Sequence, residues 1–375
     1  IRSIDTAGRL AGDEFIVIAE DLAQTEAMSA VTARMIGEKI LESLSATTYP
    51  IGEHRLHVAA SIGISVFGSG THTVTGAESL MQSADTAMYH AKRNGSNRLS
   101  FFDPEMQAAM TARSQLEAAL RIAIREQSFQ LLLQPQFDAD GRGIGAEALV
   151  RWIDRSGRSI PPIEFIPIAE ETKLIQSIER WVLDDACRIL RAWETDPVAC
   201  RYPIAVNISS QHFSADDFCE QIQSLLERHA IAPTRLKLEL TESIVVDDID
   251  ATIAKMEGLK RLGIKLSMDD FGTGYSSLSY LQRLPFDQIK IDKSFVSSML
   301  DNTNDMFIVH SVSTMARLKG LEVIAEGVET EAQRDALVAL GCELFQGYLF
   351  SRPVDESDCK DLLYRGWHPA GRQTG

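Results

Sequence analysis

The chain has 375 residues, 45% of them apolar and 24% charged, and a formal net charge of −16 at pH 7. That length suits two domains with separate cores, and the composition is ordinary for a globular protein. The acidic balance excludes a duplex-DNA binder, which needs lysine and arginine in excess to neutralise phosphates, so an anionic ligand must meet a local exception.

Residues 1–103 alternate strand and helix patterns. Phe15 to Ala19 is a short apolar run that predicts a buried strand, and Val58, Ala60, Ile62, Ile64 and Val66 alternate as a half-buried strand does. Between them, Met28, Val31, Met35, Ile36, Ile40 and Leu44 predict one apolar helical face. Together these predict an α/β domain with its beginning cut off. Residues 104–128 carry Leu116, Leu120 and Ile124 at steps of four, which predicts a linker helix, either a signalling connector or an ordinary packing element.

From residue 129 to 365, eight strand-like segments follow: Leu131 to Gln136, Ala146 to Trp152, Ile204 to Ser209, Leu236 to Thr241, Ile264 to Asp269, Gln288 to Asp292, Glu322 to Glu326 and Glu343 to Tyr348. Helical patterns or long loops separate them after the second, which predicts a (β/α)8, TIM-like barrel. The first two are joined only by a turn around Gly141, too short for a parallel crossover, so one strand is expected to be antiparallel. Residues 366–375 read as a loose tail.

Barrel active sites stand at the C-terminal ends of the strands. Period-two alternation puts Glu147 and Arg151 on one face of the second strand. Asn207 ends the third strand, Glu239 the fourth, Asp269 and Asp270 the fifth, and Glu326 the seventh. Five carboxylates against one nearby cation, Lys290, cannot all stay ionised without a counter-charge. Two divalent ions supply it, and an all-oxygen donor set suits Mg²⁺ or Mn²⁺ better than Zn²⁺. Such a pair promotes in-line displacement at a phosphodiester.

The run Glu147-Ala148-Leu149-Val150-Arg151-Trp152 is followed in order by Asn207-Ile208-Ser209, Glu239-Leu240-Thr241-Glu242, and Asp269-Asp270-Phe271-Gly272-Thr273-Gly274. Then come Ile289-Lys290-Ile291-Asp292, Glu326-Gly327-Val328-Glu329 and Gln346-Gly347-Tyr348. These seven motifs closely resemble the EAL family of cyclic di-GMP phosphodiesterases over residues 129 to about 355. The resemblance implies that Glu147, Asn207, Glu239 and Asp269 hold a first ion, and that Asp269, Asp270 and Glu326 serve a second. It implies that Lys290 orients or deprotonates the attacking water, and that Glu242 anchors the Gly-rich loop after the fifth strand. Arg151 is implied to hold a substrate phosphate, with Gln346, Gln134, Glu170 and Asp292 as further substrate contacts. Leu132 and Leu133 stand where the family usually has aromatics.

Ala11-Gly12-Asp13-Glu14-Phe15 sits between two strand patterns and resembles the signature of the GGDEF family of diguanylate cyclases, with Ala11 in place of the first glycine. Ser61-Ile62-Gly63-Ile64 and Ala84-Asp85 through Lys92 agree with it. Ala11 and Ser96, the latter where the family often has an arginine, speak against synthesis, and GTP is kept as a ligand of this domain. Arg2 and Asp5 form an R-x-x-D that resembles the family's inhibitory cyclic di-GMP site.

The expected function is a cyclic di-GMP phosphodiesterase with a regulatory first domain. A silent cyclic di-GMP receptor and a bifunctional cyclase and hydrolase stay open. A homodimer through the barrel is expected. Five cysteines without a C-x-x-C pair read as reduced cytoplasmic thiols. No run reaches the roughly 18 to 20 apolar residues of a membrane span, but a chain starting at Ile1 leads us to expect an upstream sensor or anchor.

Overall fold

The computed structural model describes residues 2, 4–22, 26–46, 48–51, 54–67, 76–93, 95, 97–102, 104–241, 244, 249–271 and 283–368. The chain divides into two compact units, Ile1–Leu116 and Glu117–Gly375. The helix expected between two domains runs over Pro104–Glu126, so the division falls inside it.

In the first unit, β1 (Thr6–Ala11) and β2 (Glu14–Ile18) form an antiparallel hairpin with Gly12 and Asp13 at its turn. The GGDEF-like signature is therefore a tight turn, as its sequence implies. A helix follows over Glu26–Ala46, then the hairpin of β3 (Thr48–Ile51) and β4 (His54–His57). Next, β5 (Ser61–Ile64) pairs in parallel with β6 (Arg98–Phe101) across the helix Ala77–Arg93. One expectation is corrected here: the strand at Phe15 forms, but it is not buried, and Phe15 is 70% exposed. Among the described residues its hairpin pairs only with itself, so backbone hydrogen bonds form with no second layer of described residues to cover the apolar side chains. Val31 and Met35 likewise point outward, while Gly37 and Leu41 are buried; the helix is present with its buried face rotated.

The second unit is the expected barrel. Strands β7 (Phe129–Asp138) and β8 (Gly143–Ile153) pair as an antiparallel hairpin, and a two-residue strand β9 (Ser159–Ile160) extends the end of β8. From β8 the ring continues in parallel through β10 (Ile204–Ile208), β11 (Leu236–Thr241), β12 (Lys265–Phe271), β13 (Gln288–Ile291), β14 (Glu322–Ala325) and β15 (Leu344–Phe345). It closes where β15 meets β7 antiparallel. Helices follow the strands, among them Ile175–Trp193, Phe218–His229, Ile249–Leu262 and Thr303–Lys319.

Alternation along β11 shows how this ring sorts its side chains. Leu236, Leu238 and Leu240 are fully buried and face the helical layer. Lys237 and Glu239 point across the interior instead, reaching Gln288 and Lys290 on β13, with β12 lying between the two strands. Polar groups thus fill the inside of the barrel in two layers. The lower layer is the buried Lys237 ammonium on Gln288 Oε1 (3.0 Å), shared with Ser267 Oγ (3.1 Å). The upper layer, at the strand ends, is acidic.

Candidate active site

Lys290 occupies the centre of the upper layer, 1% exposed. Its Nζ lies 2.5 Å from Glu239, 2.6 Å from Glu326, 3.2 Å from Asp269 and 3.6 Å from Glu147. These acids come from β11, the end of β14, β12 and β8, so four strands deliver one cluster. Asn207 stands exposed at the mouth and donates from Nδ2 to Glu147 Oε1 at 2.7 Å. Gln346, just after β15, donates to Glu147 Oε2 (2.6 Å) and to Gln134 Oε1 (3.0 Å), and accepts from Gln136 (2.8 Å). Glu147 is thereby held by one amide on either side.

Asp269 and Asp270 differ from the rest in backbone. The register of β12 against β13 shifts between Met268 and Phe271, and Asp270 has a left-handed φ of +55°. A bulge of this kind re-aims consecutive side chains that would otherwise face opposite sides of a sheet, and a non-glycine residue at positive φ costs about 1–3 kcal/mol. The strain falls where two adjacent acids must share one mouth.

Burial pushes the Glu326 carboxyl up to about 8, the Lys290 ammonium opposing and the neighbouring acids adding to the rise. Burial likewise raises Glu239 well above the ordinary carboxyl range, as it does Asp270, where Asp269 and Asp292 also contribute. For Glu147 burial is outweighed by Lys290 and by the amides of Gln346 and Asn207, and its pKa falls. Burial would discharge Lys290, but the four acids raise its pKa well above the ordinary value. The lowered pKa that would suit Lys290 to take a proton from water is therefore absent in this state, and an orienting part fits the charge it carries.

The linkage signs give a testable expectation for the protein freed of metal. Glu326 keeps its proton from the ordinary value of 4.5 up to about 8, so across that window the folded chain binds the extra proton and stability falls as pH rises. Glu239 and Asp270, also raised, act in the same direction, so Glu326 supplies one part of the fall; the lowered Glu147 acts below that window and the raised Lys290 above it. Thermal unfolding in chelator should show a midpoint that drops between pH 6 and 8.5, and Glu326→Gln should flatten the drop; a slope untouched by that substitution would refute the assignment.

Among the described residues, no three His, Cys, Asp or Glu side chains surround a common point as a formed metal site, since the acids close on the Lys290 ammonium. The donor set nevertheless fits divalent cations. Glu239 Oε1 and Glu326 Oε1 are buried without a hydrogen-bond partner; the latter is near Lys290 Nζ in distance but not in hydrogen-bonding geometry. Buried unpartnered oxygens of this kind are costly and call for a cation. With Asn207, every donor here is a hard oxygen.

Other expected residues fall elsewhere. Arg151 is half-buried and spends Nη1 on its neighbour's carbonyl, Val150 O. Gln134 is buried, donating to Ser351 O at 3.0 Å. Asp292 caps the helix Lys293–Ser298 by accepting from Ser294 N. Glu170 lies exposed on the helix Pro162–Glu171, with no hydrogen bond from its side chain to the cluster. Glu242, the loop 272–282 and Ser96 lie outside the described residues. Arg2 and Asp5 pair with each other at 2.7 Å, and Arg2 also donates to Glu20 O. Sequence reading missed Gln136, whose inward position on β7 was readable from its two-residue spacing to Gln134.

Gly347 sets the seam beside Gln346. A Cβ there, at φ +158°, would stand 2.2 Å from Val328 O and 2.3 Å from Val328 N, and neither backbone atom can move aside without shifting the Glu326 turn. Gly347→Ala is expected to lose about 1–3 kcal/mol of stability, measured by urea unfolding; an unchanged midpoint would show that the seam gives way freely.

An acidic mouth of hard oxygen donors, on a barrel with an antiparallel first strand, defines a site of the divalent-cation type. Comparison bears on which one. The model of the EAL domain family matches residues 117–353, and that of the GGDEF domain of diguanylate cyclases matches residues 1–98. The chain belongs to the EAL family, with a GGDEF domain at its N-terminal side. The bifunctional diguanylate cyclase/cyclic di-GMP phosphodiesterase MucR of Pseudomonas aeruginosa is 40% identical over 94% of this chain and 50% of its own length. The cyclic di-GMP phosphodiesterase NbdA of the same organism is 36% identical over 97% of this chain and 45% of its own. This chain thus spans about half the length of these curated relatives. The solved structure of the PaMucR phosphodiesterase in complex with c-di-GMP covers 65% of this chain and 99% of its own, with 41% identity and a TM-score of 0.63. Among the described residues, no helix is long and apolar enough to cross a membrane.

Proposed function

We propose that this chain hydrolyses cyclic di-GMP to linear pGpG at the barrel mouth, with two Mg²⁺ or Mn²⁺ ions as cofactors. The observation that carries the reading is the convergence of Glu147, Glu239, Asp269 and Glu326 on one buried ammonium, with Glu239 Oε1 left unpartnered. Glu147, Asn207, Glu239 and Asp269 would hold one ion; Asp269, Asp270 and Glu326 would hold the other. When bound, such a pair supplies an activated water and stabilises the leaving oxygen. Gln346 and Asn207 fix the two oxygens of Glu147. Lys290, held charged, orients the attacking water by donating to it. Arg151 offers its fork to a substrate phosphate, a geometry that a lysine would not match.

The test is incubation of the chain with Mg²⁺ and cyclic di-GMP, with nucleotides separated afterwards. Linear pGpG as product supports the proposal; tight binding without turnover would replace it by the receptor reading. Incubation with GTP tests the cyclase reading, which the name of MucR favours and Ala11 disfavours, since a Cβ stands where backbone meets nucleotide.

A further inference from the structure

Behind Asn207 lies a polar cluster that the proposed reaction does not use. The register of β10 with β8 ends at Val206, one residue short of Asn207, while its register with β11 runs on to Ile208. Two residues on, the chain is gripped again. Glu179, 6% exposed on the helix Ile175–Trp193, accepts from Ser209 N at 2.6 Å, from Ser209 Oγ at 3.2 Å and from His212 Nδ1 at 2.9 Å. Ser209 Oγ in turn accepts from His212 N at 3.3 Å. His212 is fully buried, with the edge of its ring contact falling on Phe218.

His212 Nδ1 faces Glu179 Oε2, an oxygen placed to accept from it. On the other side of the ring, Nε2 is 3.3 Å from Gln221 Oε1, and Arg180 Nε donates to the same oxygen at 3.1 Å.

We propose that Glu179 and His212 form a buried clamp on Ser209 that holds Asn207 against Glu147, which makes Glu179 a positioning residue for the first ion. Asn207 is exposed and bonds to Glu147, so its placement depends on the strand end that carries it. Partners of this kind, one layer behind a metal ligand, typically alter metal affinity or activity by 10–100-fold when removed. The proposal rests on the metal reading above.

The full chain, ¹⁵N-labelled on histidine, tests the first half at pH 7 by imidazole ¹⁵N shifts, with His212→Asn to assign the signal. A proton on Nδ1, the nitrogen that faces Glu179, is the expected result; Nδ1 without a proton overturns the clamp. The second half is read by titrating Mn²⁺ alone, followed by electron paramagnetic resonance, into the unsubstituted chain and into Glu179→Gln, with the fold of each checked by circular dichroism. We expect Mn²⁺ affinity to fall about 10–100-fold in Glu179→Gln, while kcat at saturating Mn²⁺ stays within about threefold, a split that general loosening of the fold would not produce. Mn²⁺ binding unchanged within twofold overturns the positioning role alone. No Mn²⁺ binding by the unsubstituted chain overturns that role together with the metal reading.

Discussion

Glu147→Gln is expected to lower the rate of cyclic di-GMP hydrolysis by more than about a hundredfold, since even groups one layer behind a metal ligand cost roughly 10–100-fold. The substitution keeps shape and volume but does two kinds of damage. It removes one negative charge from the proposed first ion, and it places an NH₂ against a donor, because Asn207 Nδ2 and Gln346 Nε2 each point at one of the two Glu147 oxygens. One of these bonds must break or the exposed Asn207 amide must turn over, which takes its oxygen from where the ion would meet it; Gln346 cannot turn over without losing Gln134 and Gln136. Initial rates at saturating Mg²⁺ and Mn²⁺ measure the effect. A rate within tenfold of the parent would remove Glu147 from the ligand set, and with it the reason for placing the reaction at this mouth.

The second large effect concerns Lys290. Removing one partner of a buried charge pair typically costs about 3–5 kcal/mol, because the opposite charge is left uncompensated. Lys290→Met should cost about that in chelator, since Glu147, whose pKa the ammonium lowers, loses its counter-charge in a cluster where four acids lie within 4.0 Å of Nζ. Added Mn²⁺ should recover most of the loss, as divalent charge does the neutralising that the ammonium did. Urea unfolding with chelator and with Mn²⁺ makes the comparison. A loss that Mn²⁺ leaves untouched would mean that the four acids do not bind metal, whatever the activity of the parent.

Much of the barrel was legible because its strands are short apolar runs with polar residues at strict alternation; Leu236 to Thr241 is found with the expected bounds. The antiparallel start followed from the length of one turn, and the hairpin of β7 and β8 bears it out. Strand-end position also indicated which acids would gather. What could not be read is how they are shared out. Nothing in the spacing of Lys290 says that it sits inside the cluster rather than beside it, and that placement raises its pKa. The Glu179 and His212 pair joins residues 33 apart in the chain through a helix packing that no local pattern encodes. Phe15 shows the converse failure: an apolar run predicts burial only when another layer exists to supply it.

Ring closure carries one more consequence. The last strand, β15, meets the first, β7, and Gln346 lies directly beyond that junction, touching Gln134, Gln136 and Glu147 from the opposite end of the barrel sequence. During synthesis the N-terminal strands leave the ribosome first, so Glu147 is made some two hundred residues before the amide that steadies it. A chain interrupted before Gln346 carries all five acids and still lacks the finished mouth.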